Sequence, residues 1–308
     1  MKISLALLLL MVGAISPVCA ETLRSTTTLQ VMDDSDDVRQ YRVFTGVTGR
    51  VDAQGQHRLG AGIGYHRLSD VDGRHIFRQA RFDYQYQPTP ATALEGSVGM
   101  LRGEDWSPLE GHLQLRHNFA APVYMELFAE RTYVDTVAAI ENEIDLRSVG
   151  VSLDFGPYAG WTVVGAHTRQ RMGDGNNRGI SVGRLIYETA HPSLLLEGRS
   201  RFVRSDFDGA EYFSPEKLDE HLVSVVWRQP VHGDRWYVSA RAGGGQQRVN
   251  SEDSEAVFVA ELQWRGWFDH HWGLEAEAMC RNTGDLNARA ADGDYRFCMA
   301  TVSLLRSW

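Results

Sequence analysis

The chain has 308 residues and a net charge of −9, from 31 Lys and Arg against 40 Asp and Glu. That balance excludes the basic footprint of a nucleic-acid-binding protein. Three cysteines exclude a disulfide scaffold, while 30 glycines and nine prolines suit an all-β chain with many tight turns.

Residues 1–20 read as a secretory signal peptide. Lys2 is the charged start, Leu5 to Val12 the apolar run, and Val18-Cys19-Ala20 a small-residue cleavage site. Residues 21–308 then form one domain. No later stretch holds 18 apolar residues, so no membrane-spanning helix is expected. The remaining pattern has period two, which means strands with one apolar and one polar face. Taken in order, it predicts sixteen strands, at 23–31, 39–51, 57–68, 74–86, 92–102, 109–118, 123–134, 145–155, 159–170, 178–189, 193–204, 220–229, 235–248, 255–266, 271–281 and 294–308.

The last three strands are the most regular. Ala256, Phe258, Ala260, Leu262 and Trp264 alternate with Val257, Val259, Glu261, Gln263 and Arg265. Segments of about ten alternating residues, separated by turns, suit strands that cross a bilayer. A soluble sheet exposing Phe258, Leu262, Trp264, Trp272 and Leu274 would aggregate. Short connections such as Gly156-Pro157-Tyr158 alternate with long ones such as Ser205 to Asp219. The expected fold is therefore a transmembrane antiparallel up-and-down β-barrel in the bacterial outer membrane, with periplasmic turns and extracellular loops. The final Trp308 resembles the C-terminal aromatic of outer-membrane barrels, although Arg306 stands where that pattern has an apolar residue.

Charge on the lipid face costs roughly 2–4 kcal/mol for Arg or Lys at the midplane. Parity therefore assigns Arg42, Arg50, Arg58, Arg81, Asp83, Glu95, Arg116, Glu126, Glu130, Glu197, Arg199, Arg201, Arg228, Arg241, Glu261, Arg265, Glu275, Glu277 and Arg281 to the lumen. These either brace the wall as ion pairs or line a hydrophilic track. Arg199, Arg201, Arg228 and Arg241, on three successive strands, are expected to form one ladder beside Glu261, Arg265, Glu275 and Glu277. Acidic residues concentrate in the loops, including Asp33, Asp34, Asp70, Asp206 and Asp208, facing lipopolysaccharide.

No Gly-x-Ser-x-Gly elbow, phosphate loop, His-Glu-x-x-His or Cys-x-x-Cys pair is present, so neither an enzyme nor a cofactor or metal site is expected. Cys280 and Cys298 lie on the last two strands. A hairpin centred near residue 289 opposes them on the outward face, within disulfide range. In the loop 205–219, Tyr212 and Phe213, followed by Pro215, are expected to fold into the pore mouth.

Glu130 to Asn250 resembles the C-terminal barrel of tetratricopeptide-bearing exopolysaccharide export porins, such as the cellulose-export subunit, the poly-N-acetylglucosamine porin and the phage-adsorption biofilm barrels. The resemblance rests on Asp135-Thr136-Val137-Ala138-Ala139-Ile140-Glu141-Asn142, Gly173-Asp174-Gly175-Asn176-Asn177-Arg178, Tyr212-Phe213-Ser214-Pro215-Glu216 and Gly243-Gly244-Gly245-Gln246-Gln247-Arg248. Residues 135–142 read as one or two helical turns over the mouth, with Asp135 as N-cap. Gly173, Gly175 and Asn176 read as a tight loop with positive φ. The resemblance implies a sixteen-strand porin passing a polysaccharide in biofilm formation. Those families carry a periplasmic helical-repeat domain before the barrel. This chain shows none, so recruitment either falls to a separate periplasmic export or scaffold protein or does not occur. A general porin, or a surface barrel in adhesion, is the alternative.

Overall fold

A computed structural model of the protein describes residues 23–119, 122–209, 211–231, 235–283 and 295–308. The expected signal peptide, and most of the loop from Asn282 to Gly293, lie outside them. Sixteen strands run in chain order: β1 (Arg24–Asp34), β2 (Arg39–Arg50), β3 (His57–Ser69), β4 (Arg74–Thr89), β5 (Thr92–Arg102), β6 (Leu109–Asn118), β7 (Val123–Tyr133) and β8 (Asp145–Tyr158). They continue as β9 (Trp161–Met172), β10 (Asn177–Glu188), β11 (Leu194–Ser205), β12 (Lys217–Val231), β13 (Trp236–Val249), β14 (Glu255–Trp267), β15 (Trp272–Arg281) and β16 (Phe297–Ser307). Each pairs antiparallel with its neighbours in sequence, and β1 also pairs with β16, closing the barrel. Closure leaves no unpaired edge, which a bilayer requires.

Alternation puts side chains where the period-two reading expects them. On β12, Leu218, Glu220, Leu222, Ser224 and Val226 are buried, while Val223, Val225 and Trp227 are exposed outward. Strand ends differ from expectation where hydrogen bonds outlast the apolar pattern. β1 runs on to Asp34, whose carboxylate accepts from the N–H groups of Asp36 and Val38. β8 continues through a register shift to Tyr158, and the turn to β9 is made by Ala159 and Gly160, both at positive φ.

The two rims differ outside. At the short-turn rim, Trp161 meets Tyr187 at 4.6 Å between ring centroids, and Trp236 meets Phe268 at 4.9 Å. These form an aromatic girdle of the kind that sits at a membrane interface. Arg306 belongs to it: its guanidinium lies 5.0 Å from the Trp272 ring centre and 4.7 Å from that of Trp308. Cation–π contact at the girdle keeps this charge at the interface instead of in hydrocarbon.

Cys280 and Cys298 are direct partners across β15 and β16, with Cα atoms 4.2 Å apart, and their sulfurs are bonded. The bond closes a segment with sequence separation 18. In the chain-entropy account this limits the unfolded chain and contributes roughly 3 kcal/mol. The double change Cys280→Ala/Cys298→Ala should therefore lower the urea midpoint of the folded barrel in detergent. Reduction of the native protein should match it, and an unmoved midpoint in both would remove the cross-link from the stability account.

Candidate functional site: a plugged polar lumen

Many inward-facing charges are held in ion pairs across the wall. On the β10–β14 wall, Glu197 accepts two hydrogen bonds from Arg184, at 3.0 and 2.8 Å, and one from Arg241 at 3.0 Å. Arg241 also reaches Glu261 at 3.1 Å. Glu220 is 0 % exposed and pairs with Arg199 at 2.6 Å and Arg201 at 3.0 Å. Forked guanidinium–carboxylate geometry makes these strong, directional pairs.

This corrects the expected arginine ladder. Arg199 and Arg201 converge on Glu220, Arg241 belongs to a second group with Arg184, Glu197 and Glu261, and Arg228 stands apart beside Glu188 at 3.5 Å. Like charges opposed on neighbouring strands repel, so the fold interleaves carboxylates. Arg265 lies 4.8 Å from the Tyr237 ring centre. Glu275 and Glu277 share the inward parity of β15 with Met279. Arg184 and Glu220 were not singled out in the sequence, though each falls on the inward parity of its strand.

The opposite wall, β2–β7, is more open. A cavity of about 530 Å³ is lined by Gln79, Arg81, Asp83, Gln85, Ser97, Glu110, His112 and Glu130, among others. A second, of about 300 Å³, lies toward the short turns and includes Arg58, Arg116, Asn118 and Tyr124. Gln85 and Glu95 line both, so the two are contiguous. Some of these groups are tied, Arg81 to Asp83 at 3.0 Å, Gln79 to Glu110 at 2.6 Å and Arg116 to Glu95. Phe44 lies flat on the wall, where a Cβ at Gly62 would collide with its ring, and the Arg81 guanidinium covers it at 4.1 Å.

The long-loop mouth above is closed by an apolar plug. One contiguous buried cluster includes Met32, Leu68, Phe77, Leu101, Tyr133, Val203, Phe213, Leu218, Tyr295 and Phe297. Its members come from β4 and from β12, which stand eight places apart in the ring of sixteen strands, so the cluster crosses the lumen. Strand ends all round the ring contribute, and loops add further side chains. The β7–β8 loop carries a short helix, α1 (Val137–Glu141), whose Val137 and Ile140 join the plug. The β11–β12 loop brings in Phe213, and Tyr212 beside it is 0 % exposed. Tyr212 donates to Asp174 at 2.7 Å, which with burial raises its hydroxyl well above the ordinary tyrosine range. Asn176 donates to Phe207 O at 3.0 Å and Ser214 Oγ at 3.2 Å, locking the β9–β10 loop to the β11–β12 loop. Pro215 follows at the point where that loop turns back to β12.

Two loop readings are corrected. The N-cap of α1 is Thr136, whose hydroxyl accepts from the Ala139 N–H at 3.1 Å and donates to Glu211 O at 2.5 Å. Asp135 instead leaves the helix to pair with Arg42 on β2. A lumen cation outcompetes a cap for this largely buried carboxylate, because leaving its charge unpaired costs more than a lost cap. In the β9–β10 loop only Gly175 has positive φ.

Burial alone would raise the Asp135 carboxyl, but the paired Arg42 guanidinium holds it below the usual value of 3.8. A carboxyl lowered by folding stabilises the folded arrangement above its unfolded value and loses that contribution as pH falls through the folded one. Conductance in planar bilayers should therefore stay low from neutral pH down to about 4 and rise below it. Asp135→Asn should be leaky throughout, and a variant as tight as the wild type would detach Asp135 from closure.

No protein-family model matches this chain, and no curated protein does. Solved structures match its fold. A structure titled "Bacterial polysaccharide outer membrane secretin" superposes with a TM-score of 0.76 at 13% identity, covering 94% of this chain and 99% of that one. CdiB from Acinetobacter baumannii gives 0.51 at 11% identity, over 94% of this chain and 60% of that one. OccD3 (OpdP) from Pseudomonas aeruginosa gives 0.50 at 9% identity, over 93% and 91%. The chain thus has the closed sixteen-stranded fold of outer-membrane barrels.

Proposed function

We propose that this barrel exports a polysaccharide through its lumen and keeps the passage shut between transport events. The observation that carries the reading is the contiguous polar chamber along β2–β7 beneath a plug built from strand ends and loop residues. Gln79, Gln85, Ser97 and His112 offer donors and acceptors to sugar hydroxyls. Ion pairing along β10–β14 leaves that wall close to neutral, which suits an uncharged or zwitterionic glycan better than a polyanion. The fold it shares with a structure titled as a polysaccharide outer-membrane protein supports this reading. A general porin or adhesion barrel would not need a mouth closed by a buried apolar cluster. Because a barrel alone has no energy source, a periplasmic export or scaffold protein would deliver the chain end.

Deleting the gene should abolish the surface polysaccharide, and the wild-type gene should restore it. Complementation with Gln79→Ala/Gln85→Ala/Ser97→Ala should restore roughly a tenth or less, as expected when several hydrogen bonds worth about 1 kcal/mol each are lost. Unchanged surface polysaccharide in the deletion strain would overturn the proposal.

A further inference from the structure

The outer wall of the barrel is uneven. Most of it carries Val, Leu and aromatic side chains, as a lipid-facing surface should. Across β9–β13 it holds a depression of about 710 Å³, lined outward by Val163, Gly183, Gly198, Ser200, His221 and Gly244. A Cβ placed at Gly165, Gly183 or Gly198 would meet nothing within 4 Å. The missing side chains therefore leave space that nothing in the fold fills.

Polar groups cross this depression in register. Ser200 pairs with His221 across β11 and β12, with Oγ and Nδ1 2.9 Å apart. Toward the long-loop rim, His167 and Ser181 repeat the arrangement on β9 and β10, also at 2.9 Å. A serine that donates to Nδ1 fixes the imidazole proton on Nε2, which then points a donor at whatever covers the wall. Polar side chains facing hydrocarbon are costly, and four of them together mark a functional surface.

Above them the wall becomes basic. Arg169 on β9, Gly179 on β10, Arg204 on β11 and Lys217 on β12 stand in one register row. Gly179 opens a gap between Arg169 and Arg204 of two strand spacings, roughly 10 Å. In the next row, Arg147, which pairs with Asp145 at 3.1 Å, directly opposes Arg171. Asp219 serves both Arg204, at 2.8 Å, and Lys217, at 3.2 Å, whereas Arg169 and Arg171 have no ion-pair partner among the described residues. Directly opposed like charges are destabilising unless an anion lies between them. Long loops face the cell exterior, so this rim meets the outer leaflet.

We infer that the outer face of β9–β13 binds one phosphorylated, acylated lipid of the outer leaflet. Its phosphate sits over Gly179 between Arg169 and Arg204. Its ester or amide carbonyls accept from the His167 and His221 imidazoles, and an acyl chain lies in the glycine-floored depression. Only such a ligand matches the charged row, the donor pairs and the apolar hollow in that order from the rim inward. The inference concerns the outside of the wall and does not depend on what passes through the lumen.

Native mass spectrometry of the purified full-length protein in detergent tests it. The probes are a bisphosphorylated, hexa-acylated glucosamine disaccharide lipid, its dephosphorylated form, and inorganic phosphate. The wild type should retain one phosphorylated lipid, at least tenfold more than the dephosphorylated lipid. Arg169→Ala/Arg204→Ala should remove that preference. Gly183→Leu/Gly198→Leu, at positions where a Cβ meets nothing within 4 Å, should cut retention tenfold while the arginines remain. Heat-modifiable migration on gels verifies that each variant is folded. Equal retention of both lipids by wild type and variants would mean annular lipid only and would overturn the site. Displacement of the lipid by equimolar inorganic phosphate would reduce it to a bare anion site and overturn the acyl-chain assignment.

Discussion

Tyr212→Ala/Phe213→Ala should turn a closed barrel into a conducting one, with single-channel conductance in planar bilayers raised severalfold. Both rings are buried in the mouth, Tyr212 completely, and Phe213 belongs to the cluster that crosses the lumen. Truncating a buried aromatic to alanine costs roughly 3–5 kcal/mol. Here the cost falls on the closed arrangement of the loop and not on the barrel ladder, which neither residue joins. A shift of several kcal/mol inverts a closed-to-open ratio, since each 1.4 kcal/mol is about a factor of ten. Loss of the Tyr212–Asp174 bond would add to it by freeing the β9–β10 loop. Folded variants with wild-type conductance would show that the plug closes without this loop, through α1 and Tyr295.

The second large effect belongs to Glu220. Glu220→Ala removes the carboxylate that pairs with both Arg199 and Arg201, guanidiniums that are themselves only 22% and 12% exposed. Breaking a buried pair this way typically costs about 3–5 kcal/mol, because the remaining charge is left uncompensated. Replacing the whole group, as Arg199→Met/Arg201→Met/Glu220→Leu, should cost much less. It removes the desolvation penalty together with the attraction. Urea unfolding of the two variants in the same detergent would separate these cases. If Glu220→Ala lost under about 1 kcal/mol, lumen water would be screening the group as it does surface pairs.

Much of the architecture was legible in the residues because period two is a local property. The alternation of Ala256 to Trp264 against Val257 to Arg265 reports which face meets lipid whatever the neighbouring strands do. Closure into sixteen strands, the position of Cys280 opposite Cys298, and the inward parity of Glu197, Arg241 and Glu261 all follow from that period plus hairpin symmetry. Parity says which wall a side chain occupies but not which partner it takes. Arg199 could not be assigned to Glu220, nor Arg241 to Glu197, because those pairings depend on stagger between strands and on side-chain reach across the lumen.

The closed mouth was even less accessible. Phe213, Val137 and Tyr295 are far apart in sequence and meet only in the cluster at the mouth. Asp135 illustrates the limit. Locally it is a good N-cap before α1, yet the folded chain gives that role to Thr136 and uses Asp135 to hold Arg42 from β2. Likewise, Gly179, Gly183 and Gly198 are unremarked glycines until register aligns them beneath Arg169 and Arg204. Short-range sequence order determined strand, face and rim. Contacts between residues distant in sequence, whose energies depend on burial and on competing partners, decided the ion pairs, the plug and the outer-wall hollow.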